Sequence, residues 1–266
     1  MTASTAGRTI LFDDGEAYER GMGVWSRLVG RTFLDWLMPP AGLQWIDVGC
    51  GSGAFTEMLT EGCAPAGVQA IDPSEQQLAY ARARKGAHGA VFQQADAMAL
   101  PFGDDRFDAA VMALVIFFVP EPIRGAAEMS RVVRPGGLVA AYAWDIPGGG
   151  LPFEPIRAEL GSIGVQSPLP PNASVSCEEA LRDLWTAAGL HMVETRVIPV
   201  KRVFADFDEF WNTNLLVAGL AETLATLGAG DAERVKDRVR ALLPADEAGR
   251  ITCFARANAV RGRVPV

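Results

Sequence analysis

Short apolar runs alternate with amphipathic stretches from about residue 43 to residue 144, and the first run ends at glycines. Apolar runs of this length predict buried strands, and the stretches between them have the residue spacing of helices. The predicted strands are Leu43–Val48, Val68–Ile71, Val91–Gln94, Phe107–Leu114 and Leu138–Trp144, and the predicted helices are Ala54–Thr60, Ser74–Arg84 and Ile123–Val132. This alternation predicts an α/β fold, in which a parallel sheet is covered by helices on both faces.

Two local patterns refine the boundaries of these elements. Ser74 with Gln77, and Ser176 with Glu179, have the spacing of a capping box, so each serine is predicted to begin a helix. Pro135-Gly136-Gly137 predicts a turn before the fifth strand, because proline fixes φ and glycine readily accepts a positive φ.

The regular alternation is absent on both sides of this region. Residues 1–42 precede the first strand and contain a helical pattern over Val24–Leu37. Residues 145–175 contain three consecutive glycines and six prolines, which is typical of a loop or an insertion. Further along, the pattern predicts strands over Met192–Val200 and Ile251–Val260, with mostly helical structure over residues 208–243.

Composition excludes several classes of protein. With 266 residues, 49% hydrophobic and 21% charged, the chain is expected to fold as one large domain or as one domain with an insertion. A net charge of -8 disfavours nucleic acid and anionic membrane as partners. The four cysteines have no C-x-x-C spacing, so neither a metal site nor a disulfide framework is expected. No apolar run approaches the length of a membrane span and no signal peptide is evident, so a cytoplasmic protein is expected.

The strongest chemical signal is Gly49-Cys50-Gly51-Ser52-Gly53, between the first strand and the following helix. Glycines permit a sharp turn and a close approach of ligand, and the helix that follows presents N–H groups and a positive dipole end. The turn therefore predicts a site for a nucleotide or a nucleotide-like cofactor. Gly49, Gly51 and Ala54 also fit the dinucleotide pattern, and Asp72, 21 residues after Gly51, is spaced to bind ribose hydroxyls. A dehydrogenase and a methyltransferase both remain open at this point.

Three further features favour the methyltransferase. Asp47 lies inside the first strand, where a carboxylate can hold an ammonium group but would be unhelpful beside a pyrophosphate. Asp96 follows the third strand and can accept a hydrogen bond from an adenine amino group. The third feature is Pro135-Gly136-Gly137, which separates the helix after the fourth strand from the fifth strand.

Taken in order, these pieces resemble the class I S-adenosylmethionine-dependent methyltransferases, of the bacterial small-molecule type. The matching segments are 45–53, 70–74, 94–97, 100–102, 107–109 and 131–137. The resemblance implies a Rossmann-like, doubly wound sheet of seven strands with an antiparallel last strand. It also implies an N-terminal helical cap over the cofactor (1–42) and a cofactor-binding core (43–144). Residues 145–266 would complete the fold and carry substrate-side lid insertions at 145–175 and 208–243.

The resemblance assigns a cofactor contact to each part of the core. The backbone of Gly49, Cys50 and Gly51 would line the methionine end, with Asp47 near its amino group. Asp72 would bind the ribose and Pro73 would lie beside the adenine. The adenine amino group and ring would contact Asp96 and Ala97, and the turn Ala113–Phe118 would approach the sulfonium. The N-terminal segment is similar to one that folds over the cofactor in many bacterial members, which implicates Tyr18, Trp25 and Arg27.

The expected reaction is an in-line transfer of a methyl group to a small, partly apolar acceptor, which leaves S-adenosylhomocysteine. Ile116, Phe117 and Phe118 occupy the turn where some related enzymes carry a histidine, so the base is not assigned. Asp145 is the best-placed acid and Tyr142 a weaker candidate. Two alternatives are an NAD(P)-dependent oxidoreductase and a methyltransferase-like protein that binds cofactor without turnover. A monomer and a homodimer are equally compatible with the sequence.

Overall fold

The computed structural model describes residues 19–217 and 219–266 of the chain. A π-helical turn, Glu19–Gly23, leads into helix α1, Val24–Leu37. The other helices are α2 (Ala54–Gly62), α3 (Glu75–Arg82), α4 (Pro122–Val132), α5 (Glu154–Ser162), α6 (Glu178–Ala187), α7 (Phe207–Leu215), α8 (Leu220–Ala225) and α9 (Ala229–Leu242). The strands are β1 (Gln44–Val48), β2 (Gly67–Asp72), β3 (Ala90–Gln94), β4 (Phe107–Ala113), β5 (Val133–Trp144), β6 (His191–Phe204) and β7 (Ile251–Arg263).

The seven strands form one sheet in the order β3-β2-β1-β4-β5-β7-β6. Strands β1 to β5 pair in parallel, whereas β7 is antiparallel to both β5 and β6. Strand β1 lies between β2 and β4, so the strand order reverses at β1 and forms a topological switch point. Ligands of such sheets bind at the carboxyl ends of the strands beside this point. The predicted Rossmann-like sheet with an antiparallel last strand is confirmed.

The described residues group into two compact units. The larger unit contains Gly23–Leu151, Pro171–Val200 and Ala255–Val266, and therefore most of the sheet and helices α1–α4 and α6. The smaller unit contains Pro152–Pro170 and Lys201–Phe254, together with residues 19–22, and therefore helices α5 and α7–α9. Helix α1 thus groups with the sheet. The assignment of residues 145–175 and 208–243 as substrate-side lids stays a prediction.

Aromatic side chains join α1 to the sheet in the larger unit. The ring of Phe33 lies 4.8 Å from that of Tyr142 on β5 and 6.0 Å from that of Phe55 on α2. Gly30 allows this close packing, because a Cβ there would lie 2.5 Å from the end of the Met58 side chain on α2. Burying such rings contributes about 2 kcal/mol each, so α1 is held by its apolar face.

The structure differs from the sequence prediction at Pro135-Gly136-Gly137. The tripeptide lies inside β5 and does not form a separate turn before that strand. From the pair Phe107↔Val133 to the pair Ala109↔Leu138, β5 contains more residues than β4. The extra residues of β5 include the tripeptide, which therefore forms a bulge. Gly136 takes a φ of +77° within this bulge. The prediction of a positive φ at glycine is confirmed at Gly136, whereas the prediction of a turn before the fifth strand is wrong.

The capping box predicted at Ser176 and Glu179 is wrong. Helix α6 begins at Glu178, and its N-cap is Cys177, whose side chain makes no capping hydrogen bond. Ser176 instead ends a short 3-10 turn and is fully buried, with its hydroxyl oxygen accepting from the Ile146 N–H at 3.3 Å. A tertiary hydrogen bond replaces the local cap at this serine. The capping box of Ser74 is confirmed in its first half, because the Ser74 hydroxyl accepts from the Gln77 N–H.

Within the described ranges 19–217 and 219–266, no helix has both the length and the apolar character that crossing a membrane requires.

Candidate functional site

The glycine turn lies at the carboxyl ends of β1 and β2. The backbone N–H groups of Gly49 and Cys50 both donate to the carbonyl of Ile71, at 2.8 and 2.9 Å. The Gly53 N–H donates to the Cys50 carbonyl, and α2 begins at the next residue. The turn is therefore fastened to β2, and it feeds directly into the N-terminus of a helix.

Each of the three glycines has a positive φ, but each meets different surroundings. A Cβ at Gly49 would lie 2.5 Å from the Val115 side chain in the turn after β4. A Cβ at Gly53 would lie 2.9 Å from Ala81 on α3. At Gly51 no atom of the described structure lies within 4 Å of that position. Gly49 and Gly53 are thus needed for packing, whereas Gly51 presents bare backbone to open space, as a ligand-binding turn requires.

Asp47 lies on β1, directly before this turn, and is fully buried. Its Oδ2 accepts a hydrogen bond from the Thr56 hydroxyl of α2 at 2.7 Å. Its Oδ1 is buried and has no hydrogen-bond partner among the described residues. The pKa of Asp47 is raised to about 7, mainly by burial; the Thr56 hydrogen bond opposes this rise, and the charge of Asp72 adds to it. A buried acceptor without a donor is costly, so this oxygen is suited to a cationic or N–H donor from a ligand.

Asp72 ends β2 and uses both carboxylate oxygens within the protein. Oδ2 accepts from the Gly51 N–H and Oδ1 from the Ser74 N–H, each at 2.9 Å. Burial raises the pKa of Asp72, and the two N–H donors lower it. Each carboxylate oxygen can accept a second hydrogen bond, so the predicted ribose contact remains compatible with this geometry. The link between Asp72 and the glycine turn was not anticipated from the sequence.

Cys50 occupies the middle of the turn, and its side chain packs with Ala70, Leu78 and Phe92. Burial raises the pKa of this thiol far above its usual range, with the charges of Asp47 and Asp72 adding to the effect. The thiol is therefore neither a nucleophile nor a ligand-facing acid. Its role is to anchor the turn, and the backbone at this position remains the predicted cofactor contact.

The predicted adenine contacts lie after β2 and β3, which pair in parallel up to Asp72 and Gln94. Asp96 is exposed, and its Oδ1 accepts from the Met98 N–H at 2.8 Å. Pro73 is also exposed, and its carbonyl accepts from the Gln94 side chain at 2.8 Å. Ala97 is partly buried. The two strand ends are adjacent, and their assignment to the adenine stays a prediction.

The turn after β4 is held by one strap, defined as Asn172–Ser176. The Asn172 N–H donates to the Phe117 carbonyl at 3.1 Å, and its side-chain amide donates to the Val119 carbonyl at 2.7 Å. At the other end of the strap, the Ser176 carbonyl accepts from the buried side chain of Asn258 on β7. With the Ile146 N–H also bound to Ser176, the strap ties the turn after β4 to the residues just after β5 and to the middle of β7. It was missed in the sequence because every partner is distant along the chain.

Ala113 and Phe118, the predicted neighbours of the sulfonium, border this turn, and both are partly exposed. Leu114 between them has a φ of +63°, and its N–H donates to the Tyr142 carbonyl at 2.8 Å. A positive φ in a leucine is uncommon and costs about 1 kcal/mol or more. The surrounding hydrogen bonds thus hold the chain in a defined path past the carboxyl end of β4.

Both candidates for the catalytic base are engaged in contacts within the protein, and their assignment as candidates stays a prediction. Asp145 Oδ2 accepts from both Nε and Nη2 of Arg256, at 2.8 and 2.6 Å, and its Oδ1 accepts from the Gly148 N–H. Tyr142 is 1% exposed, and its ring is packed against Phe33 and Phe55. Asp145 is therefore engaged in fixing the loop after β5, and Tyr142 belongs to the core.

Three further predicted cofactor contacts lie near the N-terminus. Trp25 on α1 is 1% exposed and packs within the larger unit, while Arg27 is partly buried. Tyr18 lies outside the described residues. The exposed histidines, His88 and His191, are at the end of the 3-10 turn after α3 and at the start of β6. No grouping of His, Cys, Asp and Glu that could hold a metal ion occurs within the described part of the chain.

Comparison with known proteins distinguishes between the two cofactor classes that fit a glycine turn. Residues 46–141 match the family described as methyltransferase domain. The chain is 35% identical over 164 residues to an O-methyltransferase of Penicillium expansum, covering 59% of this chain and 55% of that protein. Residues 46–141 therefore match a methyltransferase domain, the class of protein that the sequence favoured over a dehydrogenase.

Solved structures agree with the fold. The YcgJ protein of Bacillus subtilis superposes with a TM-score of 0.59 at 14% identity, covering 90% of this chain and 99% of that one. A phosphoethanolamine N-methyltransferase of Haemonchus contortus, in complex with phosphomonomethylethanolamine and S-adenosylhomocysteine, gives a TM-score of 0.58 at 16% identity, covering 97% of this chain and 59% of that one. This chain spans about half the length of the curated relatives it matches.

Proposed function

We propose that this chain binds S-adenosylmethionine at the glycine turn and transfers its methyl group to a small, partly apolar acceptor. One observation carries the proposal: among the described residues nothing donates to the buried Oδ1 of Asp47, and no described atom lies within 4 Å of the Cβ position of Gly51 in the turn that follows. A carboxylate in this position suits the ammonium group of a methionine moiety, and it would repel the pyrophosphate of a dinucleotide. The Asp47 carboxylate and the accessible backbone at Gly51 thus fit the cofactor of the methyltransferase domain family.

The residues proposed to hold the cofactor all lie in the larger unit. Asp47 would accept from the ammonium group, and the backbone of residues 49–51 would line the methionine end. Asp72 would accept from the ribose hydroxyls while it keeps the Gly51 N–H. Asp96 uses Oδ1 for its own turn, and Oδ2 would be the acceptor for the adenine amino group.

S-adenosylmethionine supplies an activated methyl group on a sulfonium, which an acceptor nucleophile displaces in line. The protein contributes mainly by positioning, which is a large part of catalysis in such a displacement. The strap Asn172–Ser176 and the Asp145–Arg256 pair hold the turns after β4 and β5, so the acceptor would meet fixed backbone. Neither Asp145 nor Tyr142 is assigned a role in proton transfer, because Asp145 is paired with Arg256 and Tyr142 is buried among aromatic rings.

A small-molecule acceptor is supported by charge and by similarity. The net charge of -8 opposes binding to a phosphate backbone. The Haemonchus contortus protein of similar fold is in complex with phosphomonomethylethanolamine and S-adenosylhomocysteine, and the Penicillium relative is named an O-methyltransferase. Which atom of the acceptor receives the methyl group in this chain can be found by screening acceptors of different chemical classes.

Titration calorimetry with S-adenosylhomocysteine, and separately with NADH, tests the cofactor. We expect binding of S-adenosylhomocysteine and no heat with NADH. Binding of NADH with no heat from S-adenosylhomocysteine would overturn the proposal. Transfer of a radiolabelled methyl group from S-adenosylmethionine to a panel of phenols, carboxylates, amines and thiols then distinguishes an enzyme from a protein that binds without turnover. Binding with no transfer to any class of acceptor would favour the latter.

A further inference from the structure

The side chain of Arg84 runs back from the end of α3 across the glycine turn. Its Nε donates to the carbonyl of Ser52 at 2.5 Å, and its Nη1 forms an ion pair with Glu57 Oε2 on α2 at 2.9 Å. The side chain is only 12% exposed. Charged hydrogen bonds that are largely shielded from water are stronger than those of exposed pairs, so this contact restrains the turn more than a surface arginine would.

Gly53 makes room for this arrangement. A Cβ at Gly53 would lie 2.9 Å from Ala81 Cβ and 3.4 Å from Cδ of Arg84. The third glycine of the turn therefore allows the arginine stem and the end of α3 to pack against the backbone. This explains a glycine that faces protein instead of the open side of the turn.

The segment that follows Arg84 is also hydrogen-bonded to α2. Glu57 Oε1 accepts from the Gly86 N–H at 3.2 Å, and the Thr60 hydroxyl donates to the Gly86 carbonyl at 2.5 Å. The segment that carries Arg84 is thus bound to α2 at two further points. Arg84 is held at both ends of its guanidinium and along the chain that follows it.

The peptide unit between Ser52 and Gly53 is consequently fixed at both of its polar atoms. Its carbonyl accepts from Arg84, and its N–H donates to the Cys50 carbonyl at 2.9 Å. Because a peptide is planar, two such contacts define its orientation. A turn with three glycines has high conformational freedom, so its affinity for a ligand depends on restraints of this kind.

We propose that Arg84 is a positioning residue, which holds the Ser52 carbonyl so that the backbone at Gly51 is presented to the cofactor. The inference rests on the proposed function, since it names the cofactor as the ligand of this turn. Arg84 itself need not touch the cofactor. Its effect passes through the Ser52–Gly53 peptide and through Glu57.

The test compares Arg84→Met, Arg84→Lys and the control Arg82→Met in the full chain. Arg82 is a neighbouring arginine on α3, which pairs with Glu75 and is 43% exposed. Two quantities are measured at a temperature where every variant is folded: the Kd for S-adenosylhomocysteine, and amide exchange at Gly51 and Gly53 in the cofactor-free protein by NMR. Thermal melting separates a loss of global stability from a local effect.

In Arg84→Met we expect faster exchange at both amides and a Kd raised about tenfold. Arg84→Lys keeps the charge but cannot contact Ser52 and Glu57 with one planar group, so its Kd should lie between those of wild type and Arg84→Met. Arg82→Met should match wild type in both measurements.

Unchanged exchange in Arg84→Met, or faster exchange with a Kd within twofold of wild type, would overturn the positioning role. A lower melting temperature with an unchanged Kd would likewise reduce Arg84 to a structural residue. Failure of the wild-type chain to bind S-adenosylhomocysteine is a different result: it contradicts the proposed function itself, and the positioning role falls with it.

Discussion

Asp72 accepts a hydrogen bond from the backbone N–H of Gly51, with 2.9 Å between Oδ2 and the nitrogen. The acid at the end of β2 and the second glycine of the turn are therefore one structural unit, although they lie 21 residues apart. A carboxylate that serves a ligand in this site also sets the path of the backbone that the ligand meets. Substitution of Asp72 consequently has two effects, which can be measured separately.

Asp72→Ala is expected to weaken both cofactor binding and the fold. Loss of a charged acceptor for the ribose should lower affinity for S-adenosylhomocysteine by about 1.5–3 kcal/mol. The N–H groups of Gly51 and Ser74 also lose their acceptor, so the free energy of unfolding should fall by about 1–3 kcal/mol. Calorimetry and urea unfolding measure the two quantities. Equal affinity in the variant and wild type would mean that the ribose is bound elsewhere.

Asp96→Ala is the matched comparison, because Asp96 is exposed and caps only its own turn. We expect affinity for S-adenosylhomocysteine to fall by about 1 kcal/mol, the typical net value of one hydrogen bond. The free energy of unfolding should change by less than about 0.5 kcal/mol, as for most surface substitutions. A large loss of stability without loss of affinity would contradict the assignment of Asp96 to the adenine.

Alanine substitutions of the first two glycines should have different consequences, with the larger loss of stability at Gly49 and the loss of cofactor affinity at Gly51. At Gly49 the added Cβ would meet Val115 at 2.5 Å, so Gly49→Ala should lower the free energy of unfolding by about 2 kcal/mol or more. At Gly51 the Cβ would meet no described atom within 4 Å, so the cost should be near 1 kcal/mol, from the positive φ alone. Affinity for S-adenosylhomocysteine should nevertheless fall more than tenfold in Gly51→Ala. A Gly51→Ala variant that binds normally would show that the ligand does not approach this backbone.

Asp47 is expected to make stability depend on pH. Its pKa is about 7 in the folded protein, and about 3.9 when unfolded. Between these values the folded state binds a proton that the unfolded state has released, so stability falls as the pH rises from about 4 to about 7 and then levels off. Asp47→Asn should flatten this slope in urea unfolding measured across the range. Thr56→Val should move its upper end to higher pH, because the Thr56 hydroxyl lowers the pKa of Asp47.

Cofactor binding should release a proton from Asp47 at pH 6. An ammonium group beside Oδ1 favours the carboxylate form, so the bound state holds about one proton fewer. Titration calorimetry in buffers of different ionisation enthalpy measures this release. The Asp47→Asn variant is the control and should show none. Absence of proton release in the wild-type chain would place the ammonium group away from Asp47.

Asp145 and Arg256 should show coupled losses of stability. Each single substitution, Asp145→Asn or Arg256→Gln, is expected to lower the free energy of unfolding by about 1–2 kcal/mol, discounted because the arginine side chain is 42% exposed. The double variant should lose less than the sum, with a coupling of about 1 kcal/mol. Additive losses in urea unfolding would mean that the pair does not hold the loop after β5.

The order of strands and helices was readable from the sequence because each element carries its own periodic signal. Val24–Leu37 was predicted with the observed bounds, since its apolar face is local to the helix. Pro135-Gly136-Gly137 and Ser176 were misplaced because their conformations depend on distant partners. The bulge in β5 is set by register with β4, and Ser176 is recruited by Ile146 and Asn258.

The same distinction applies to the site. Asp47, Asp72 and the glycines follow one another along two neighbouring strands, so their types and spacing were sufficient to predict that they lie close together. The partner of Asp145 lies 111 residues further along the chain, and no local pattern connects the two. Arg84 was equally hidden, because a lone arginine after a helix is most often solvated. Its contact with Ser52 depends on how α3 returns to the glycine turn.

The strap Asn172–Ser176 also has a consequence for recombination between relatives. The chain leaves the larger unit after Leu151 and returns to it at Pro171, directly before Asn172 fastens to the backbone beyond β4. A chimera joined at these two points would exchange the whole intervening excursion and keep every hydrogen bond of the strap. Every predicted cofactor contact lies outside the exchanged segment, so such hybrids would change the excursion and leave the predicted cofactor site intact.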